Sequence, residues 1–229
     1  DTIINLAQDF VGSNNINLLE PVGQFGTRLH GGKDSSSPRY IFTHLTKQFK
    51  DIFNPDDYNL LNYLDEDGQS IEPMFYVPTI PMILVNGACG IGTGFSTDIP
   101  CFKPDDIKER LLKLVEDEDA DIPEMVPWYK NFKGTISKIE DNKWITKGIF
   151  TISSNTVTVT ELPIGTWTHD YKTFLDKLEI DNVIFSYINN SSESSVNFEI
   201  KIPLETIVEW KDNNEIYKKL KLTSNISAK

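Results

Sequence analysis

The sequence predicts an α+β chain built as two units, and three observations carry that prediction. Apolar residues recur at helical spacing at Ile41, Phe42, Leu45, Phe49, Ile52 and Phe53, and again at Ile107, Leu111, Leu114 and Val115. Residues 134–140, 144–152 and 156–162 alternate polar with apolar or β-branched side chains, as an antiparallel meander does. At 229 residues and 39% hydrophobic content the chain can bury a sizeable core, for which two compact units are more natural than one.

Residues 1–10 read as a helix with Ile3, Ile4, Leu6, Ala7 and Phe10 apolar, and without a starting methionine the chain reads as a fragment. Gly and Asn dominate residues 12–33 around a short apolar piece at 16–19, which predicts turns. Gly23, Gly26, Gly31 and Gly32 let a backbone come close to a duplex, and Arg28, His30 and Lys33 stand where they would meet phosphates. A surface hairpin wing with ordinary turn glycines fits the same residues. Three serines then lead into Pro38, Arg39 and Tyr40, predicted as the first turn of a helix running to Phe53, with Pro38 at its first position and a serine as cap.

A helix's first turn has unpaired N–H groups and the positive end of the dipole, so it holds a phosphate well, and Arg39 adds a forked cation. Tyr40 beside it suits attack on a phosphodiester, provided a cation or metal holds the phenolate and the charge developing on phosphorus. The alternative is an amphipathic tyrosine closing a helix end beside a surface arginine. His30 and His44 lack an acidic partner pattern and read as solvated or core histidines, not a metal pair.

Residues 51–68 read as a polar connector with a short helix, 72–81 as proline-punctuated extended chain, and 82–85 as a short strand entering a glycine-rich loop at 86–94. Gly90, Gly92 and Gly94 follow that strand, but no helical period follows them, so the dinucleotide-binding fingerprint is rejected. Ile91 is one apolar side chain among glycines at the loop tip. It either wedges between base steps, as minor-groove bending proteins do, or anchors the loop in the core.

In the second unit, residues 103–116 form a well-signalled helix, with Pro104 early and acids in its first turn, and the acid run at 116–121 is a solvated linker. After the meander come a helix at 170–180, a strand at 196–202, and short helices near 204–210 and 215–220. This part has no nucleophile constellation, paired carboxylates or metal spacing, and reads as a mixed α/β scaffold.

The net charge of −12 argues against an indiscriminate nucleic-acid binder. Residues 1–50, however, carry five Lys and Arg against four Asp and Glu, leaving +1 there and −13 elsewhere, so any DNA surface belongs to the first part. Two cysteines, Cys89 and Cys101, are too few for a disulfide scaffold and suit a reducing compartment. No apolar run is long enough to span a bilayer and no charged leader is present, so no membrane partner is expected.

Three blocks carry a resemblance: Val-Gly-Ser-Asn-Asn-Ile-Asn-Leu-Leu-Glu-Pro-Val-Gly-Gln-Phe-Gly-Thr-Arg-Leu-His-Gly-Gly-Lys-Asp at 11–34 with Pro-Arg-Tyr-Ile-Phe-Thr at 38–43, Pro-Met-Ile-Leu-Val-Asn-Gly-Ala-Cys-Gly-Ile-Gly-Thr-Gly-Phe-Ser at 81–96, and Glu-Leu-Pro-Ile-Gly-Thr-Trp-Thr at 161–168. Together they resemble the breakage-reunion region of eukaryotic-type, type IIA DNA topoisomerase II over essentially the whole chain. The resemblance implies the C-terminal part of a winged-helix domain at 1–99, then a mixed α/β tower, or shoulder, domain with an antiparallel sheet at 100–229. It implies that Tyr40 forms a 5′-phosphotyrosyl link, that Arg39 stabilises the transition state, and that Ile91 helps bend double-stranded DNA. For the intact enzyme it implies a homodimer using Mg²⁺ and ATP, both held outside these residues, and a fragment inactive alone. The enzyme would be nuclear if cellular, or in host cytoplasm or virion if viral; a short 169–196 connection suits a compact or viral member. Cys89 stands where the family usually has a glutamate. A non-catalytic DNA-bending module and a protein-interaction module are the alternatives.

Overall fold

In a computed structural model describing residues 2–229, helix α1 (Thr2–Ala7) packs Ile4 and Ala7 against Phe25, with Leu19 and Ile41 closing the cluster. The helix expected over 38–53 does not form. A three-residue 3-10 turn (Pro38–Tyr40) gives way to extended chain, and helix α2 covers only Phe49–Ile52. The β-branched Ile41 and Thr43 favour the extended backbone, which pairs with residues 18–22: Phe42 and Val22 exchange two N–H···O bonds of 3.0 and 3.1 Å, and Leu45 bridges Leu19. Phe42 and Leu45 are therefore exposed rather than committed to a core.

A 3-10 stretch (Pro55–Leu60), started by the Asn54 side chain accepting from the Asp56 N–H, leads to strands β1 (Tyr63–Glu66) and β2 (Gln69–Pro73). They pair antiparallel across Asp67-Gly68, both at positive φ, the Asp-Gly turn that suits a two-residue hairpin. Residues 82–85, read as a strand, are helix α3 (Met82–Val85). Four apolar residues are too few for a period to decide; Pro81 starts a turn whose carbonyl accepts from Leu84 N–H at 2.9 Å, and Val85 is buried with Phe102 and Ile107. The glycine-rich segment is likewise not a loop but a hairpin of β3 (Ala88–Gly92) and β4 (Phe95–Ile99).

Helix α4 (Pro104–Glu116) forms as expected. The meander is split: β5 (Thr135–Glu140) and β6 (Lys143–Lys147) belong to one sheet, β7 (Ile149–Ser153) and β8 (Thr156–Glu161) to another. Gly148 is the corner, where an added Cβ would strike the Glu161 carbonyl. Helix α5 (Thr168–Ile180), strands β9 (Ser186–Asn189) and β10 (Phe198–Lys201), helices α6 (Leu204–Asp212) and α7 (Ile216–Lys219) and strand β11 (Thr223–Ser227) complete the order. The sheets run β7-β8-β10-β9 and β11-β6-β5, and every strand pair among the described residues is antiparallel. The main core joins Val157, Val159, Phe198 and Ile200 of the first sheet, with Leu162 and Ile202 just past the ends of β8 and β10, to Tyr171 and Leu175 of α5. Beyond β11 the chain returns to the β3–β4 hairpin, where Asp98 and Lys229 exchange backbone bonds of 3.2 and 2.9 Å.

Candidate active site

Tyr40 ends the 3-10 turn, its N–H donating to the Ser37 carbonyl at 2.9 Å. Its side chain stands in solvent at 70% exposure, and the Arg39 guanidinium carbon lies 5.5 Å from the ring centroid. With no helix continuing beyond Tyr40, the dipole expected beneath it is missing; Arg39 is the local cation. Two crevices of about 1060 and 380 Å³ lie nearby in the chain, and Tyr40 lines neither. An exposed phenol outside both crevices, beside a forked donor, suits a reaction centre completed by a large partner laid across it rather than by a small molecule in a pocket.

The four expected DNA contacts separate. His30 and Lys33 are exposed, and the His30 ring lies 4.7 Å from that of His169. Arg28 faces inward, contrary to expectation: its guanidinium pairs with Glu161 and donates to the Leu162 carbonyl at 3.4 Å, with both paired side chains almost fully buried. A buried guanidinium needs a carboxylate partner, and Glu161 supplies one from β8. Ile91 sits on a separate element, the β3–β4 hairpin, at 92% exposure. It is not buried as an anchor. Its cross-strand partner is Ser96, so Ile91 shares a face with exposed Cys89 and Asp98, while Phe95 emerges on the other face beside Gly92.

The loop before Tyr40 is tightly bonded. The Asp34 carboxylate accepts from the Thr27 N–H at 2.8 Å and the Thr27 hydroxyl at 2.5 Å. Burial pushes the Asp34 carboxyl up, but the Thr27 hydroxyl and N–H, its own N–H and the nearby His30 together hold it below the usual carboxylate range. Three structural residues escaped the sequence reading. Asn15, in the Ser-Asn-Asn run, bonds three separate segments, and Asn86 brackets Ile16 through its N–H and carbonyl at 2.9 and 2.8 Å. Glu161 continues the inward positions Val157 and Val159, a charge on the buried face that marked it for pairing.

Among the described residues no group of three His, Cys, Asp or Glu side chains is arranged to hold a metal, so none here is assigned to Mg²⁺. Among the described residues no helix is long and apolar enough to cross a membrane.

The DNA gyrase/topoisomerase IV A-subunit family matches residues 1–229. A DNA topoisomerase 2 of Plasmodium falciparum is 52% identical over 205 residues, covering 88% of this chain and 14% of the relative. The mitochondrial DNA topoisomerase 2 of Dictyostelium discoideum is 46% identical over 228 residues, covering 99% of this chain and 18% of the relative. The fold superposes with a TM-score of 0.92, at 46% identity, on the crystal structure of the Plasmodium falciparum topoisomerase II DNA-binding, cleavage and re-ligation domain, covering 99% of this chain and 31% of that one. This chain thus spans less than a fifth of the length of those two full-length relatives. With the whole of its length matched, it belongs to the DNA gyrase/topoisomerase IV A-subunit family, as a breakage-reunion fragment of the eukaryotic topoisomerase II type.

Proposed function

We propose that these residues carry the nucleophile of a type II DNA topoisomerase that makes and reseals a transient double-strand break so that a second duplex can pass. The observation that carries this reading is Tyr40, 70% exposed with the Arg39 guanidinium at its ring. The phenol oxygen attacks a backbone phosphorus, the bond from phosphorus to the 3′ oxygen breaks, and that oxygen takes up the proton the phenol gives up. A 5′-phosphotyrosyl ester and a free 3′-hydroxyl result, and resealing is the reverse transesterification. Arg39 offers parallel N–H donors to the charge that builds on the phosphoryl oxygens. Lys33 and His30 contact flanking phosphates, while Ile91 enters between base steps and helps to bend the duplex.

In this reading residues 1–99 are the end of a winged-helix cleavage domain and 100–229 a tower. The intact enzyme is a homodimer whose ATP and Mg²⁺ are held by other parts of the protein, and it acts in the nucleus. The relatives named above come from cellular organisms, which favours that over a virion; one of them is named as mitochondrial. The test is Tyr40→Phe in the full-length protein. Covalent protein–DNA adducts should disappear while DNA affinity stays within about tenfold, because one hydroxyl adds little to a wide phosphate-contacting surface. Adducts persisting at the wild-type level would place the nucleophile elsewhere. The exposure of Ile91 favours a second reading, a DNA-bending module without cleavage, which predicts bending but no adduct from the unmodified protein.

A further inference from the structure

Tyr40 is 70% exposed and belongs to none of the buried clusters, so the position of its hydroxyl is set by the chain around it. Residues 24–36 form a closed unit: the Gly32 N–H donates to the Thr27 carbonyl at 2.9 Å, Asp34 gathers the N–H and hydroxyl of Thr27, and the Ser36 N–H donates to the Gln24 carbonyl at 2.9 Å. Such a unit swings as one body or not at all. What grips it is the joint between β8 and α5. Glu161 takes the Arg28 guanidinium, and its two oxygens also accept the Leu162 N–H at 2.9 Å and the Lys133 N–H at 3.1 Å. Further along the joint, the Trp167 ring lies so close to Gly31, itself at φ +62°, that no Cβ would fit. The His169 N–H then donates to the Leu29 carbonyl at 2.9 Å.

The geometry points to the 161–169 joint as a positioning device for Tyr40, with Arg28 and Glu161 as its positioning residues for the cleavage step. This rests on Tyr40 being the nucleophile. A buried ion pair adds little net stability once desolvation is counted, but it is directional. Here one guanidinium nitrogen reaches both a Glu161 oxygen and the Leu162 carbonyl, and the same carboxylate also accepts two backbone N–H groups, so the Arg28 side chain is held in one orientation relative to β8. Six residues on from Asp34, which closes this loop, is Tyr40. Misplacing a reacting group by about 1 Å costs on the order of 10²-fold in rate.

The test uses the full-length enzyme and three measurements: single-turnover cleavage at saturating DNA, DNA affinity, and melting temperature. The neutral double variant Arg28→Met with Glu161→Gln should slow cleavage about 100-fold while DNA affinity stays within about threefold. Arg28→Lys, which keeps the charge but replaces the planar guanidinium with a shorter ammonium that cannot hold the same two contacts from the same place, should fall between it and the wild type. Leu220→Ala, a core truncation in the second unit, should lower the melting temperature yet leave cleavage by folded enzyme within about twofold at permissive temperature. Cleavage at the wild-type rate by either Arg28 variant, or a loss confined to affinity, overturns the inference, as does a loss no larger than that of Leu220→Ala at equal destabilisation. If the double variant fails to fold, Arg28→Lys alone decides. Tyr40→Phe run alongside separates the two claims: surviving adducts would remove the nucleophile assignment, whereas their loss with fully active Arg28 variants would remove only the positioning role.

Discussion

Asn15→Ala should be among the most damaging single truncations in the first hundred residues, although the side chain is small and uncharged. Asn15 is 5% exposed. Its amide nitrogen donates to the carbonyls of Val85 at 3.0 Å, Phe102 at 3.1 Å and Trp128 at 3.0 Å, and its oxygen accepts from the Lys130 N–H at 2.8 Å. It thereby holds α3, the segment just before α4 and the 128–130 segment against residues 12–17. Two amide hydrogens serve three carbonyls and the oxygen takes one N–H, so about three full bonds are lost; at about 1–2 kcal/mol for each lost bond, the cost is ~3–6 kcal/mol. That is a large share of the ~5–15 kcal/mol by which a domain is stable. Hydrogen exchange of the full-length protein reads it directly: opening free energies of peptides covering 84–102 and 128–130 should fall by that amount. Asn17→Ala, which loses one bond of 2.9 Å to the Leu19 carbonyl, should cost about 1 kcal/mol. An Asn15→Ala effect no greater than that of Asn17→Ala would refute the reasoning.

Ile91→Ala in the full-length enzyme should change stability by no more than about 0.5 kcal/mol, since the side chain is exposed, while DNA bending measured by fluorescence and cleavage both fall; a large drop in melting temperature with unchanged bending would sink the wedge. Asp34, whose carboxyl sits below its unfolded value, stabilises the loop above about pH 4 and loses that contribution as pH falls through the folded value. Pepsin cutting within 24–36, divided at each pH by its cutting of an unfolded peptide of the same sequence, should therefore step up on acidification in the wild type and show no step in Asp34→Asn; a wild type without the step would contradict this. Burial pushes the Cys101 thiol up to about 12, whereas Cys89 is exposed. A brief native pulse of iodoacetamide at about pH 8 should thus label Cys89 and spare Cys101, and equal labelling would show the hairpin base to be open. The 229-residue chain alone should not cleave DNA in Mg²⁺, having a proposed nucleophile but no described cluster of metal ligands; detectable cleavage would refute that.

Residues 100–229 were legible in outline because their helices are long enough for a period to show and their strands alternate: α4 and α5 stand within two residues of their expected bounds. What was not legible depends on long-range pairing. The spacing of Ile41, Phe42, Leu45 and Phe49 satisfies a helix, and only Leu19 and Val22 arriving alongside convert the first part of it to extended chain. The same holds for Gly148, which cuts one apparent strand into members of two sheets, and for β9 and β11, whose Ser- and Asn-rich sequences carry little strand signal on their own. At the candidate site, the prominence of Arg39, Tyr40 and Ile91 was readable from motif and neighbours, and all three emerge exposed. Arg28 was misread because a basic residue in a glycine-rich loop looks the same whether it meets a phosphate or a carboxylate 133 residues away.

The central claim is that Tyr40 is the residue that becomes joined to DNA. Its most direct test is to trap the full-length enzyme on DNA with denaturant, digest both polymers, and sequence the nucleotide-bearing peptide by mass spectrometry. The account predicts a single modified peptide containing Pro38, Arg39 and Tyr40, with the Tyr40 oxygen esterified to a 5′-phosphate. A nucleotide on another residue, or a 3′-phosphate at Tyr40, would contradict it.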